Sequence, residues 1–372
     1  MQGIILVGGE GTRLRPLTYG TPKAMVPILG RPFLEHMLVY LRRHGVTDVA
    51  LALGHLPDQI QRYFGDGLRW GVRLRTVVEP EPLGSGGAIK QFEPELQAPF
   101  FAFNGDILTD FDLVAMLREH RERGAAVSIA LMEVENTAGF GVVALDETRR
   151  ILQFVEKPPP ELAPSRWANA GIWLFEPRVL LRVPAGVRSM VETGLFPELI
   201  AAGERVQGYC ERGFWVDIGT PERYLEVQLR LLREPALRIL PLTTWPGTAL
   251  LSCEEEPAEA PAPHIGPDVV IVGPVLLGRG VRVESGARLL GPLALGDGCV
   301  VRRGALVSES VLWAGCVVGE QAEVRRSALA ERVQVGGASR LSNVTAGHDA
   351  RIAEGAELSA ALIPPAGLTP GP

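Results

Sequence analysis

The chain has 372 residues, about twice an ordinary domain, so two domains are expected rather than one core. Hydrophobic residues at 46% against 22% charged exclude a disordered chain, and 43 Gly with 30 Pro exclude a helix bundle. A net charge of −6 without a long basic cluster leaves no nucleic-acid partner to expect.

The opening residues, Met1-Gln-Gly-Ile-Ile-Leu-Val-Gly-Gly, run straight into an apolar strand with no basic leader. No stretch of 18 uninterrupted apolar residues follows, so the expectation is a cytoplasmic protein with no membrane partner. Short apolar runs then alternate with helical periodicity, the pattern of βα units around a largely parallel sheet. Strands are expected at 4–7, 49–53, 74–78, 100–103, 127–132, 141–145 and 172–175. An amphipathic helix begins after Pro32, with Phe33, Leu34, Met37, Leu38 and Leu41 on one face, and ends near Gly45; further helices are expected at 113–123 and 222–233.

From 234 to 263 the periodicity fades into a stretch rich in Pro, Ala and Glu, which reads as a linker after an α/β domain at 1–233. Beyond it, aliphatic residues recur every six positions at Ile265, Ile271, Leu277, Val283, Leu289, Leu295, Val301 and Val307. Six fits neither a helix nor a hairpin, but it fits a triangular parallel β-helix in which each face takes one hexad, here spanning 264–363. Glycines at 266, 278, 280, 286, 296, 298 and 304 suit its corners, and the strict register slips after Val307. Cys210, Cys253, Cys299 and Cys316 are dispersed with no C-x-x-C pair, so buried, reduced thiols are expected.

The strongest chemical signal is Gly8-Gly-Glu-Gly-Thr-Arg-Leu-Arg-Pro-Leu-Thr18 with Thr21-Pro-Lys-Ala-Met25, directly after the first strand. Glycines there let backbone N–H groups approach a polyphosphate, and Arg13 and Lys23 supply the positive charge that its oxygens require. Leu14 stands where a dinucleotide fingerprint needs its third glycine, and the P-loop pattern is missing. Lys23, Lys90 and Lys157 are the only lysines in an arginine-rich chain; two of them adjoin proline, which suggests sites wanting a compact ammonium, while Lys90 reads as a solvated helix residue.

Together with these residues, the Glu79-Pro-Glu-Pro-Leu-Gly-Ser-Gly-Gly-Ala88 loop, Asn104-Gly-Asp106, Glu156-Lys-Pro158, Asn169-Ala-Gly171 and Trp215-Val-Asp-Ile-Gly219 resemble, in order, the sugar-1-phosphate nucleotidyltransferases over residues 1 to about 230. The tail is similar to the left-handed β-helix of hexapeptide-repeat proteins, as in the mannose-1-phosphate guanylyltransferase branch. The resemblance implies a Rossmann-like, mostly parallel α/β domain followed by that β-helix.

It further implies Mg²⁺ held by Asp106 and Asp217, hard carboxylates of the kind that ion prefers. Arg13 and Lys23 would act on the phosphates, Gly8, Gly9, Gly11, Thr12, Glu79 and Gly84 would surround the nucleotide, and Gly141, Glu156, Lys157, Asn169, Gly171 and Glu192 the sugar phosphate. GTP and mannose 1-phosphate are the favoured substrates; adenylyl, thymidylyl or uridylyl transfer to glucose 1-phosphate remain alternatives. Two departures bear on the base: Ala24 replaces the glutamine of thymidylyltransferases, and Leu-Gly-Ser-Gly-Gly replaces Leu-Gly-Thr-Ala-Gly. The tail offers His264 and His348 as acyltransferase bases in a rival bifunctional reading, and a regulatory subunit without turnover is a third. Aliphatics such as Leu276, Leu290, Leu293 and Leu312 suit a surface through which the β-helix would build a homo-oligomer.

Overall fold

The computed structural model describes residues 1–244, 250–253 and 261–368. Packing divides the chain into two compact units, Met1–Gly9 with Met37–Val216, and Glu10–His36 with Asp217–Pro372. The strands up to that point are β1 (Gln2–Val7), β2 (Pro27–Ile28), β3 (Arg31–Pro32), β4 (Asp48–Leu53), β5 (Arg73–Val78), β6 (Phe100–Asn104) and β7 (Ile107–Thr109). They continue as β8 (Val127–Glu133), β9 (Val142–Leu145), β10 (Ile151–Val155), β11 (Trp167–Phe175), β12 (Val206–Glu211) and β13 (Trp215–Asp217). The α-helices are α1 (Phe33–Arg43), α2 (Pro57–Phe64), α3 (Gly84–Lys90), α4 (Leu113–Arg123), α5 (Phe196–Ala201) and α6 (Pro221–Arg233).

In the first unit the main sheet has the order β10-β9-β11-β6-β1-β4-β5, with β8 paired to β11 and β12 to β8. Its centre is parallel and Rossmann-like: β1 pairs with β4 and β6, and β4 with β5. Of these, β4 and β6 read as nearly unbroken apolar runs because both faces are covered, whereas β5 alternates with Arg73 and Arg75. Beyond β6 the sheet is mixed, since β11 runs antiparallel to both β6 and β8. A core of aromatic and branched side chains, among them Phe100, Trp173, Phe175 and Phe196, packs on one side. Helix α4 starts where Asp112 Oδ1 accepts from the Val114 and Ala115 N–H groups and stops at left-handed Gly124, two caps that the sequence spells out.

The second unit holds the repeat. Three parallel sheets, one per face, run through it, and the interior is a column of residues such as Leu277, Leu295, Leu312, Leu329 and Ala346, consistent with a left-handed β-helix. Val283 pairs with Val301, 18 positions on, whereas Val301 pairs with Val318, 17 positions on. The register slip after Val307 is this change of coil length: each later coil loses one residue at the corner reached after Ser308, where Glu309 and, one coil on, Arg326 take left-handed backbone. Cys299 and Cys316 are buried free thiols on neighbouring coils, and burial pushes the Cys316 thiol up.

Within the span read as a linker, Leu242–Thr244 and Leu250–Cys253 are paired strands, the second of which joins the sheet at Val275–Leu277; residues 245–249 and 254–260 lie outside the described residues. Leu276, Leu293 and Leu312 are buried, so they are core rather than the assembly surface expected of them. Lys90 is not solvated either: its ammonium donates to the Leu180 carbonyl at 2.9 Å and pairs with Glu93 at 2.7 Å. Among the described residues no helix is long and apolar enough to cross a membrane.

His36, in α1, is buried with Nε2 donating to the Ile28 carbonyl at 2.9 Å, and burial pulls its pKa down from 6.5 to about 4. Its folded-state pKa is depressed, so the stability it contributes is fully present above pH 6.5 and lost as the pH falls toward 4. The effect is worth about 3 kcal/mol at most. Buried His120 acts in the same direction. In denaturant titrations at pH 7 and pH 4.5, His36→Gln should lose about 1–3 kcal/mol less than the wild type; equal losses would clear His36 as a source of acid sensitivity.

Candidate active site

In the first unit the carboxyl ends of β1, β4, β5 and β6 lead into Gly8, Gly54, Glu79 and Asn104-Gly105-Asp106, the edge at which α/β sheets receive ligands. Two backbone approaches there require glycine. A Cβ on Gly54 would stand 2.5 Å from the Gly8 carbonyl oxygen, and one on Gly105 2.4 Å from that of Leu6. Neither had been singled out from the sequence, although Gly105 lies inside a quoted motif. Glu79 Oε2 faces Gly8, 3.1 Å from where its Cβ would be, while Oε1 accepts from Gln91 at 3.1 Å. Partial burial raises the pKa of that carboxyl.

The six residues expected around a sugar phosphate come together. A Cβ on Gly141 would meet Glu156 Oε2 at 2.7 Å, and the Gly141 carbonyl accepts from the Asn169 N–H at 2.8 Å. Glu156 pairs with Lys157 at 3.3 Å, and both exert charge effects on Glu192. Lys157 has a φ of 47°, left-handed for a side chain that bears a Cβ, and its N–H is held by the Phe140 carbonyl at 3.1 Å. Asn169 and Gly171 sit in β11 at a bulge that the sequence reading missed, because Asn and left-handed Gly interrupt the strand pattern. Asn169 Oδ1 accepts from Trp173 Nε1 at 3.0 Å and from the Gly171 N–H at 2.9 Å, so the oxygen is committed within β11 and the amide NH₂ is the group left to donate.

Glu192 is almost fully buried in the π-helical turn Val191–Leu195, and Ser85 donates to its Oε2 at 2.5 Å. The Val191 N–H donates to the same Ser85 oxygen at 2.9 Å, and the Gly86 and Gly87 N–H groups reach the Ser189 carbonyl. The Gly84 loop and the Glu192 turn are thus one clamp. Ser85 was visible in the sequence only as a departure from the usual loop; its hydrogen bond to Glu192, 107 positions away, was not.

In the second unit, Gly11 is left-handed, and a Cβ there would crowd Thr18 Cγ2 at 3.1 Å and Lys23 Cβ at 3.3 Å. Thr18 closes the loop by donating to the Gly11 carbonyl at 2.8 Å. Thr12 and Arg13 lie in the 3-10 turn Thr12–Leu14 that follows. Arg13 reaches Gly219, next to Asp217. Asp217 ends β13, and its Oδ1 takes the guanidinium of Arg223 at 2.5 Å while Oδ2 turns toward Gly219. Arg223 escaped the sequence reading although its place in the first turn of α6 is set by the Thr220 cap. Among the described residues no group of three or more His, Cys, Asp or Glu is gathered into a metal cage. Of the two histidines considered as acyltransferase bases, His264 is exposed, and His348 is buried with Nε2 3.0 Å from the Thr21 hydroxyl.

This fold and these residues define a nucleotide-binding α/β domain joined to a hexapeptide β-helix, and comparisons with known proteins agree. The family profile described as "Nucleotidyl transferase" matches residues 2–234, and "GlmU-like, C-terminal hexapeptide" matches 292–361. A mannose-1-phosphate guanylyltransferase of Mycobacterium tuberculosis is 35% identical over 86% of this chain and 83% of its own length. A UTP–glucose-1-phosphate uridylyltransferase of Synechocystis is 34% identical over 84% of this chain and 83% of its own. The crystal structure of HddC from Yersinia pseudotuberculosis complexed with GMP-PN superposes with a TM-score of 0.54 at 26% identity, covering 62% of this chain and 99% of that one. The chain belongs to the sugar-1-phosphate nucleotidyltransferases, which transfer a nucleotidyl group from a nucleoside triphosphate to a sugar 1-phosphate and give an NDP-sugar.

Burial raises the Glu192 pKa, and the Ser85 hydrogen bond opposes that rise. Ser85→Ala removes the opposing contribution, so the Glu192 pKa climbs further and the carboxylate is lost at a higher pH. The acid limb of kcat/KM for the sugar phosphate should therefore move to higher pH in Ser85→Ala, and a superimposable pH profile would detach Ser85 from Glu192.

Proposed function

We propose that the chain is a Mg²⁺-dependent mannose-1-phosphate guanylyltransferase, making GDP-mannose and pyrophosphate. The observation that carries this reading is the cluster of Glu156, Lys157, Asn169 and Glu192 around the Gly141 and Gly171 backbone. It offers two carboxylates and an amide for hydroxyls beside one ammonium for a phosphate, which is the chemistry of a sugar phosphate. For the base, support comes from Ala24, which is buried and has no amide with which to read a pyrimidine edge, and from Glu79 beside Gly8, whose carboxylate can accept from guanine N1–H and its amino group. The M. tuberculosis relative points the same way. The Synechocystis relative supports a second reading, uridylyl transfer to glucose 1-phosphate.

In the reaction an oxygen of the sugar phosphate forms a bond to the α-phosphorus of the triphosphate while the bond to the β-phosphate oxygen breaks and pyrophosphate leaves. The phosphate is already an anionic nucleophile, so no side chain need carry the nucleotidyl group in between; alignment and charge neutralisation are the work. Lys157 grips the sugar phosphate, Glu156, Glu192 and the Asn169 amide fix the ring, Lys23 meets phosphate oxygens near the reacting centre, and Arg13 steadies the pyrophosphate. Asp106, in the turn after β6, and Asp217, with Oδ2 turned from Arg223, have the hard oxygens that would hold Mg²⁺. When bound, that ion neutralises charge on the phosphates and polarises the phosphoryl oxygens. The homo-oligomer expected of the hexapeptide region belongs to the same reading.

A matrix of GTP, ATP, UTP and dTTP against mannose and glucose 1-phosphates, read by pyrophosphate release, tests the assignment. GTP with mannose 1-phosphate should have the highest kcat/KM; dTTP above both purines would sink the argument from Ala24, and UTP with glucose 1-phosphate in first place would establish the second reading. Asp106→Asn and Asp217→Asn should each lower kcat by about a hundredfold or more, since each removes one anionic oxygen while keeping shape. A variant with over half the wild-type rate would take that residue out of the metal site. Lys157→Ala should mainly raise KM for the sugar phosphate and Lys23→Ala mainly lower kcat, so identical profiles would contradict the separate roles.

A further inference from the structure

The hexapeptide region reaches residues 10–36 through one imidazole. His348 occupies the Gly347-His-Asp349 corner and is buried. Its Nε2 lies 3.0 Å from the Thr21 hydroxyl, the Leu17 backbone is a second hydrogen-bond partner, and its Cδ2 is 3.7 Å from where a Gly20 Cβ would stand. Trp313 packs edge-on against the ring, with centroids 5.4 Å apart, and fixes its tilt. The imidazole therefore grips residues 17–21 at both ends.

That segment is the outer wall of the phosphate loop. Thr18 donates to the Gly11 carbonyl at 2.8 Å, Gly11 packs against Thr18 and Lys23, and only Pro22 separates Thr21 from Lys23. Leu17 is fully buried beneath it. A shift of residues 17–21 would be passed to Gly11 through Thr18 and to Lys23 through the rigid Pro22.

We propose that His348 is a positioning residue for nucleotidyl transfer: from the hexapeptide region it holds Leu17–Thr21 so that Gly11, Arg13 and Lys23 present their donors to the triphosphate. The proposal rests on the reading of those three residues as phosphate ligands. The role needs a hydrogen-bonding ring, not a charged one. Burial depresses the imidazole pKa and Arg332 adds to that, while Glu331, the Leu17 hydrogen bond and Asp349 oppose it.

The test is kinetic, on the full chain with GTP and mannose 1-phosphate. His348→Ala and the near-isosteric Thr21→Val should each lower kcat/KM for GTP by about tenfold while KM for the sugar phosphate stays within about twofold. The double variant should be no more than about twofold worse than either single one, because both remove the same interaction. Thr21→Ser and His348→Gln, which keep a hydrogen-bonding group, should recover at least half the activity. Thr21→Val leaves the tail intact and keeps the test open if His348→Ala folds poorly. Folded single variants within twofold of wild type, effects that multiply in the double variant, or a KM for the sugar phosphate raised by about tenfold would overturn the proposal. Lys23→Ala separates the two readings: if it turns over normally, the phosphate-loop reading fails and this proposal with it; if it is crippled while Thr21→Val is not, the positioning role alone fails.

Discussion

The second unit depends on one buried hydroxyl. Tyr224, on α6, donates to the Pro27 carbonyl at 2.8 Å and accepts from Trp313 Nε1 at 2.8 Å and from Gln228 Nε2 at 2.6 Å. Gln228 in turn reaches the Pro27 carbonyl at 2.7 Å and takes the Leu29 N–H at 2.8 Å. The phenol thus uses its single proton and both lone pairs on protein partners, and burial raises its pKa. Removing any partner would strand a buried polar group, at a cost of about 1–3 kcal/mol. Three stretches far apart in sequence, the chain after Lys23, α6 and one coil of the β-helix, are locked by the same atom. Residues 10–36 and the coils consequently form one packed body.

In the first unit the corresponding constraint is the collision of backbones at the carboxyl edge of the sheet. Gly8, Gly54 and Gly105 bring β1, β4 and β6 so close at their ends that no side chain fits at the second or third. At the periphery, Glu79 lies beside Gly8, and Glu156, Lys157 and Glu192 gather beside Gly141. Glu192 illustrates how the periphery is tuned. Burial raises its pKa, and the Ser85 hydrogen bond opposes that rise.

What could be read in the sequence were features that local chemistry fixes. The helix at 113–123, the central parallel strands and the first eight hexads needed only neighbouring residues, and all of them stand. What could not be read depended on distant partners. The strand β11 was cut short because Asn169 and Gly171 look like a turn until Trp173 and β8 are seen to hold them in a bulge. Arg223 and Gly54 carried no signal of their own, since each matters only for a residue it meets in space. Lys90 looked like a solvated lysine for the same reason, as its acceptor is a carbonyl 90 positions away.

One long-range partner nevertheless left a trace in the repeat. After each interior Leu277, Leu295, Leu312, Leu329 and Ala346 comes a corner residue, and these are Gly278, Gly296, Trp313, Ala330 and Gly347. The column is small because side chains there strike the next coil: a Cβ on Gly278 would lie 2.7 Å from the Gly296 carbonyl carbon, and one on Gly296 2.8 Å from that of Trp313. A tryptophan in such a column is tolerated only if its ring leaves the stack, and a ring that leaves the stack must be covered elsewhere to be as buried as this one is. The single large residue in a run of glycine and alanine therefore marks where the β-helix stops packing on itself and begins to hold α6 and, through His348, residues 17–21.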